Sequence, residues 1–408
     1  MWTDSFSQLR MAGTPPSGHF TVPDGILDYV RSLLRNDLPL RPEIDGDRWA
    51  DFLPAFRSHW IIPLLYRRIG SLPAELRPPG WVVDEMREAF LDSRTRCLKM
   101  ERQIGEIGEA FRDSGVRALI LRGPALAWSV YPDPALRPAS DIDLLVHPEQ
   151  VPLARETLKG LGYRCLSQRF EVAADFFREE DFIHRDNPRG HLPVDLHWTQ
   201  WELHPFFESR RGSGVESLFS RAVKITLSNA EYETLHPLDA LVQSAIHLAL
   251  VHGQEMRLIW IHDIALLCRQ LEGPDDWEEL KKRSVDWRAR RATESSLKMA
   301  EHWSGLEIPE AMGDFSHWPR PAKDELVIWS TMTKYDWTSL LLKRSMARPF
   351  KVKAMIRSLL HLLFPPADIV RQCYPPSREW LLPLSYGRRL GHWFKKLALN
   401  RIPAIHRG

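Results

Sequence analysis

Two aspartates one residue apart open an apolar run in the segment Ser140-Asp141-Ile142-Asp143-Leu144-Leu145-Val146. Residues i and i+2 of a β-strand share a face, so the side chains of Asp141 and Asp143 should project side by side. A third carboxylate, Asp195, lies in a second apolar segment, Val194-Asp195-Leu196-His197-Trp198. We expect the three carboxylates to converge if the two strands are neighbours in one sheet.

Carboxylates grouped in this way favour a divalent cation. Mg²⁺ takes only one or two protein carboxylates per ion and leaves its other positions to water and substrate phosphates. Three aspartates therefore suit two Mg²⁺ ions and a nucleotide, an arrangement that lowers the charge barrier to phosphoryl displacement. His197 shares a strand face with Asp195. It could be a metal ligand, a base, a contact with the acceptor or a hydrogen-bonded, partly buried histidine.

The segment before the acid pair predicts a phosphate-binding turn. It has the pattern of a short strand, a tight turn and the start of a helix, Leu119-Ile120-Leu121-Arg122-Gly123-Pro124-Ala125-Leu126-Ala127. Gly123 would let the backbone approach a phosphate, and the N–H groups of the first helical turn favour an anion. Pro124 suits the first helical position. Arg122 flanks the turn and Arg137 precedes the acid pair, so either guanidinium could hold triphosphate oxygens.

These segments resemble the nucleotidyltransferase superfamily related to polymerase β, and more closely the bacterial uncharacterised nucleotidyltransferase family. The resemblance covers roughly residues 50 to 270. The residues that carry it are Arg122-Gly123-Pro124-Ala125-Leu126-Ala127, Tyr131, Arg137, Ser140-Asp141-Ile142-Asp143-Leu144-Leu145-Val146, Gly162-Tyr163, Val194-Asp195-Leu196-His197-Trp198, Ala245-Ile246-His247-Leu248 and Ile261-His262-Asp263-Ile264.

The resemblance implies an α+β fold, with a polymerase β-like nucleotidyltransferase core of mixed sheet and flanking helices framed by helical regions. It also implies dependence on Mg²⁺ or Mn²⁺ and an NTP co-substrate. The implied reaction moves an NMP, with AMP favoured, from the NTP to a hydroxyl of an unidentified small-molecule or protein acceptor and releases pyrophosphate.

Roles for individual residues follow from the same resemblance. Asp141 and Asp143 would bind both metal ions, and Asp195 would complete the nucleophile-side site and help deprotonate the acceptor hydroxyl. The residues expected to bind the nucleotide are Arg122, Gly123, Pro124, Arg137 and Ser140. The candidate substrate contacts are Tyr131, His197 and Asp263.

One departure from the superfamily pattern leaves an alternative open. The turn usually contains Gly-Ser, whereas Pro124 follows Gly123 in this sequence, which removes the serine contact and one backbone N–H. Arg122 could compensate for that loss. The alternative is a catalytically weak nucleotide-binding scaffold or sensor associated with a membrane-linked polysaccharide or natural-product pathway. Asp263 could equally be a structural hydrogen-bond partner.

The chain has 408 residues, 44% of them hydrophobic and 26% charged, which is typical of a globular protein with more than one region. We predict a flexible leader (1–22), an N-terminal helical region (23–110), the nucleotidyltransferase core (111–204), a helical substrate or support region (205–330) and a basic helical C-terminal region (331–408). The predicted core strands are Val116–Leu121, Asp141–Val146, Tyr163–Leu166, Asp181–His184 and Leu192–Trp198. From Trp201 onward we expect helices.

The C-terminal region concentrates positive charge. Residues 331–408 contain 15 Lys and Arg but 3 Asp and Glu, while the whole chain has a net charge of only +2. Such a region could meet an anionic surface, a membrane or nucleic acid, or it could consist of solvated helix faces. Neither a signal peptide nor a transmembrane run of ~20 apolar residues is evident, so we predict a cytoplasmic protein, with peripheral membrane attachment as the alternative. The four scattered cysteines predict buried thiols.

Overall fold

The computed structural model describes residues 24–40, 46–166, 179–185, 190–199, 214–227, 230–251, 256–332 and 381–399, together with residues 364, 367 and 378. The strands are β1 (Ala118–Ile120), β2 (Ile142–Val146), β3 (Tyr163–Cys165), β4 (Glu179–His184), β5 (Val194–His197), β6 (Val223–Leu227) and β7 (Ala230–Thr234). The helices are α1 (Asp24–Arg35), α2 (Phe52–Arg57), α3 (Ile62–Gly70), α4 (Gly80–Ser114), α5 (Arg122–Ser129), α6 (Val151–Gly160), α7 (Val215–Ser220), α8 (Pro237–Ile246), α9 (Leu258–Cys268), α10 (Pro274–Asp286), α11 (Arg290–Ser304), α12 (Glu310–Gly313), α13 (Lys323–Met332) and α14 (Leu382–Leu399).

The strands form one mixed sheet in the order β3-β4-β5-β2-β1-β7-β6. The pairs β2–β5 and β1–β7 are parallel, and the other four neighbouring pairs are antiparallel. Helices precede, interrupt and follow these strands along the chain. The predicted α+β class is therefore confirmed.

Alternation along the central strands assigns each side chain to one face of the sheet. Leu119 and Leu145 pack with residues of α1, α3, α8 and α9, whereas Ile120 and Leu144 pack with residues of α4 and α6. Asp143 lies two residues before Leu145 on β2, so it is on the first of these faces. The acid pair therefore faces the helices that come before and after the core in the sequence.

Strands β6 and β7, called here the hairpin β6–β7, correct the expectation of a wholly helical chain after Trp201, which is wrong over Val223–Leu227 and Ala230–Thr234. Strand residues with β-branched and aromatic side chains outweigh the local charge there, and β7 pairs in parallel with β1 at the edge of the core. Two glycines of α4 leave room for the hairpin, since a Cβ on Gly108 would lie 2.5 Å from Cε1 of Tyr232. The sheet thus takes strands from both 111–204 and 205–330, and the predicted domain boundaries stay a prediction.

Arginines gather where four helices end. Arg35 is the last residue of α1, Arg68 lies in the last turn of α3 and Arg269 caps α9, and all three line one cleft. Arg269 donates to the carbonyl of Ser304 (2.7 Å) and Arg35 to that of His302 (3.4 Å), both at the end of α11. Cations at helix C-termini offset the negative end of the helix dipole and satisfy the last carbonyls. This arrangement fixes the helices against one another.

Several predictions for the ends of the chain lie outside the described residues, including the leader 1–22, most of the basic region 331–408, and Cys373. Within the described part, Cys268 is a buried free thiol, and Cys97 and Cys165 are partly buried. The helices that the structure describes include none that combines the length and apolarity needed to cross a membrane.

Two buried histidines should make the stability depend on pH. Burial, and then the charges of Arg269 and Arg68, lower the pKa of His262 to about 3, and burial followed by the charge of Arg257 lowers the pKa of His59 to about 4. Between pH 6.5 and 5 the unfolded chain binds a proton at each of these positions and the folded chain does not. Falling pH therefore favours unfolding, and above pH 6.5 this contribution disappears.

We expect the free energy of unfolding to fall by roughly 2 kcal/mol per histidine between pH 6.5 and 5. Denaturant titrations of wild type and His262→Gln at pH 7.5, 6.5 and 5 would measure this. The variant should lose less stability on acidification than wild type by about that amount. An identical pH dependence for the two proteins would contradict the assignment of His262 as a buried neutral group.

Candidate active site

The turn before the acid pair adopts the predicted order of strand, turn and helix. Strand β1 ends at Ile120 and α5 begins at Arg122, which has a left-handed φ of 50° that is uncommon for a residue with a side chain. The Leu121 amide donates to the carbonyl of Asp143 (3.0 Å), so the turn is tied directly to β2. Gly123 and Pro124 are buried in the first turn of α5.

The pairing of strands brings the predicted carboxylates into one row. In the parallel register of β2 with β5, Asp143 lies directly opposite Asp195. In the antiparallel register of β4 with β5, Asp181 lies opposite Asp195 on its other side. Asp141 immediately precedes β2, two residues from Asp143. The expectation that the two acid-bearing strands are neighbours is confirmed.

Burial, and then repulsion within this row, raise the pKa values of Asp195 and Asp141. Burial, followed by the charges of Asp143 and Asp141, raises the pKa of Asp195 to about 8, with smaller contributions from Asp181 and Glu179. Burial and then Asp143 also raise the pKa of Asp141, against a hydrogen bond from the Ser140 side chain. A cation bound among these side chains would relieve both the burial cost and the repulsion.

Asp143 differs from its neighbours because two donors hold it as a carboxylate. Burial alone would raise its pKa, but Arg122 and then His197 outweigh burial and lower the pKa to about 2. Nη1 of Arg122 lies 2.9 Å from Oδ1 of Asp143, and Nε2 of His197 lies 2.8 Å from the same oxygen. Among the residues that the structure describes, none donates a hydrogen bond to Oδ2.

His197 also faces a second carboxylate, since its Nδ1 lies 3.2 Å from Oε2 of Glu179. The sequence alone pointed to neither Glu179 nor Asp181 as a site residue, and the strand predicted there, Asp181–His184, begins two residues after Glu179. The strand sequence, Glu-Glu-Asp-Phe-Ile-His, places three acidic residues in succession, so it shows no alternation that would mark one polar side. What the sequence could not supply was the register that aligns Glu179 with His197 and Asp181 with Asp195.

The predicted site residues Tyr131, Arg137 and Asp263 come together in a buried cluster. Arg137 donates from Nη2 and Nε to the two oxygens of Asp263 (2.7 and 3.2 Å), and the Tyr131 hydroxyl donates to Oδ1 of Asp263 (2.7 Å). Gly123 packs against it, because a Cβ there would lie 2.9 Å from Nη1 of Arg137. The cluster thus supports the turn, which favours the structural alternative for Asp263. A phosphate contact by Arg137 stays a prediction.

The carboxylate row of Asp141, Asp143 and Asp195 offers the oxygen ligands that a hard divalent cation prefers. Mg²⁺ and Mn²⁺ prefer oxygen ligands, and the row presents Asp141, Asp143 and Asp195 with a repulsion that a cation would remove. In the described parts of the chain, no three His, Cys, Asp or Glu side chains already stand in a metal-ligating arrangement. Arg122 instead supplies positive charge to Asp143, and it would have to share that carboxylate with a bound ion.

Of the comparisons with known proteins, the match to a family model agrees with this geometry. A family model described as an uncharacterised nucleotidyltransferase matches residues 45–305, which is well over half of the chain. Among solved structures, that of the antibiotic-resistance factor ANT(2'')-Ia is 15% identical, with 47% of this chain and 92% of that chain covered and a TM-score of 0.33. A TM-score that low indicates neither a shared fold nor a shared substrate. None of the curated proteins matches the chain.

Removing the carboxylate of the buried cluster should unfold the site. The variant Asp263→Ala would leave the Arg137 guanidinium buried without its partner, at a cost of roughly 3–5 kcal/mol. Tyr131→Phe removes one hydrogen bond and leaves the ion pair, so we expect about 1.5 kcal/mol. Denaturant unfolding at pH 7 measures both. Equal losses in the two variants would show that the ion pair does not hold the cluster together.

Proposed function

Because this chain belongs to the uncharacterised nucleotidyltransferase family, we propose that it moves an NMP from an NTP to a hydroxyl of a small-molecule or protein acceptor and releases pyrophosphate. AMP is the nucleotide that we favour, and Mg²⁺ or Mn²⁺ the cofactor. The observation that carries the proposal is the strand register that sets Asp143 opposite Asp195, with Asp141 two residues away.

The three aspartates have distinct roles in this proposal. Asp141 and Asp143 project from the start of β2 and would hold the divalent cation, which when bound would neutralise the charge on the phosphates. Asp195 stands across from Asp143, where it would complete the metal site on the nucleophile side and help deprotonate the acceptor hydroxyl. The acceptor oxygen then forms a bond to the α-phosphorus as the bond to the pyrophosphate oxygen breaks.

The turn at the start of α5 is the proposed site for the triphosphate. The N-terminus of α5, with Gly123 in its first turn, favours an anion. Pro124 contributes no N–H, so the guanidinium of Arg122 has a larger share in phosphate binding. The Arg122 side chain is 16% exposed beside Asp143. Ser140, which is exposed beside Asp141, completes the proposed phosphate side.

The basic C-terminal region has a separate proposed role, contact with an anionic surface of membrane or nucleic acid. Its support is the concentration of 15 Lys and Arg in residues 331–408. We also propose that the protein acts in the cytoplasm or at the inner membrane surface. Sedimentation with anionic vesicles and with tRNA, each at low and high salt, tests this role, and absence of binding to both at low salt would contradict it.

Label transfer tests the proposed reaction most broadly. Full-length protein is incubated with each α-³²P-labelled NTP and Mg²⁺ or Mn²⁺, alone and with cell extract, and labelled products and pyrophosphate are measured. We expect transfer from ATP, and a fall of more than about 100-fold in Asp141→Asn and Asp143→Asn, because loss of residues that merely support metal ligands already costs 10–100-fold.

The matched control is Glu231→Gln, which removes an exposed carboxylate paired with Lys224 on the far hairpin. It should transfer label at the wild-type rate. If wild type transfers no label under any condition, yet binds NTP equally well with and without the acid pair, the enzymatic proposal fails and the scaffold or sensor alternative is favoured.

A further inference from the structure

We propose, on the basis of the proposed function, that His197 and Glu179 are positioning residues that hold the Asp143 carboxylate with its Oδ2 directed toward the metal ion. The sequence left four roles open for His197: a metal ligand, a base, a contact with the acceptor or a hydrogen-bonded, partly buried histidine. The contacts of its two ring nitrogens distinguish among these.

His197 is closed off from a substrate. Its residue is 1% exposed, and both ring nitrogens already face carboxylates of the protein, Asp143 on one side and Glu179 on the other. Neither ring nitrogen is left to contact a metal ion or an acceptor. The side chain therefore acts on the reaction through Asp143 rather than on the substrate itself.

Backbone pairing sets this arrangement. Glu179 and His197 are directly opposite each other in the β4–β5 register, and Asp143 is opposite Asp195, two residues from His197 on the same strand face. The neighbouring strands β4, β5 and β2 thus supply Glu179, His197 and Asp143, respectively. No loop rearrangement is needed to assemble the set, and its geometry is as rigid as the sheet.

The two donors on Asp143 act on one oxygen. A carboxylate can rotate about its Cβ–Cγ bond, but Arg122 from α5 and His197 from β5 approach Oδ1 from different elements and fix that rotation. Oδ2 is then the oxygen left to face the row, with no hydrogen bond from any described residue. Fixing a ligating carboxylate in this way is what supporting residues of metal sites do.

The two groups that donate to Asp143, Arg122 and His197, differ in how readily a bound nucleotide could displace them. Arg122 begins a helix in a left-handed conformation and retains some solvent exposure, so it can exchange Asp143 for a phosphate. His197 is enclosed, and Glu179 holds its far side. We therefore assign the lasting orientation of Asp143 to His197 and Glu179.

Metal affinity, measured without nucleotide, tests this assignment separately from catalysis. Mn²⁺ binding to the full-length protein is followed by the EPR signal of free Mn²⁺. In His197→Gln the side-chain amide reaches the position of Nε2 and can still donate to Asp143, so we expect an affinity within a few-fold of wild type. In His197→Asn the amide reaches only the position of Nδ1, and we expect affinity to fall 10–100-fold.

A second pair of variants covers the case in which a His197 variant does not fold. Glu179 lies nearer the surface, with 17% of its side chain exposed. Glu179→Gln keeps an oxygen that can accept from Nδ1 and should bind Mn²⁺ as wild type does. Glu179→Ala loses that acceptor and should bind Mn²⁺ at least several-fold more weakly. Thermal unfolding of each variant confirms that it is folded.

The outcomes distinguish failure of the proposed metal site from failure of the positioning role alone. If wild type binds no Mn²⁺, or Asp143→Asn binds it as tightly as wild type, the metal site fails and the positioning role fails with it. If wild type binds Mn²⁺, Asp143→Asn does not, and the Gln and Asn variants of His197 bind equally tightly, the positioning role alone is overturned.

Discussion

The parallel pairing of β2 with β5 is the constraint on which the candidate site depends. It sets Asp143 opposite Asp195, and because strand side chains alternate, Asp141 and His197 fall on the same face. A shift of one residue would turn these groups to the opposite face, among the apolar side chains that pack under α4 and α6. Burial of Ile142 and Leu144 on that opposite face therefore fixes the position of the acids as firmly as any contact among the acids themselves.

Placing carboxylates together in a buried row costs free energy. The protein stabilises the charged form of one of these carboxylates but not of the other two. Asp143 is stabilised as an anion by Arg122 and His197, while the pKa values of Asp141 and Asp195 are raised by burial and by their neighbours. This imbalance favours a cation, since positive charge between these groups would be attracted by all three. A nucleotidyltransferase needs such a concentration of negative charge to hold metal ions beside a triphosphate.

The buried cluster of Tyr131, Arg137 and Asp263 supports the turn that precedes the acid pair. Asp263 on α9 pairs with Arg137, and Gly123 in the phosphate-side turn has no Cβ because the Arg137 guanidinium occupies that space. The helical region therefore stabilises the turn through one buried ion pair. Tyr131 and Asp263, which the sequence suggested as substrate contacts, thus both belong to the buried cluster that supports the turn.

Local pattern was enough to predict the strands that carry the acids and the turn before them, because alternation and glycine turns are encoded within a few residues. It could not predict contacts that depend on long-range pairing. Arg137 and Asp263 are 126 positions apart, and Glu179 reaches His197 only through the β4–β5 register. The β6–β7 hairpin was missed because its charged residues masked short strands that are stabilised by pairing with β1.

The central claim is that Asp141, Asp143 and Asp195 together hold divalent metal beside the turn that begins α5. Anomalous scattering from crystals grown with Mn²⁺ and a non-hydrolysable ATP analogue tests it most directly. The account predicts Mn²⁺ peaks within about 2.0–2.2 Å of oxygens of these aspartates and of the phosphates, with His197 still bonded to Oδ1 of Asp143. Mn²⁺ bound elsewhere, with the three carboxylates unchanged and Arg122 still paired to Asp143, would contradict it.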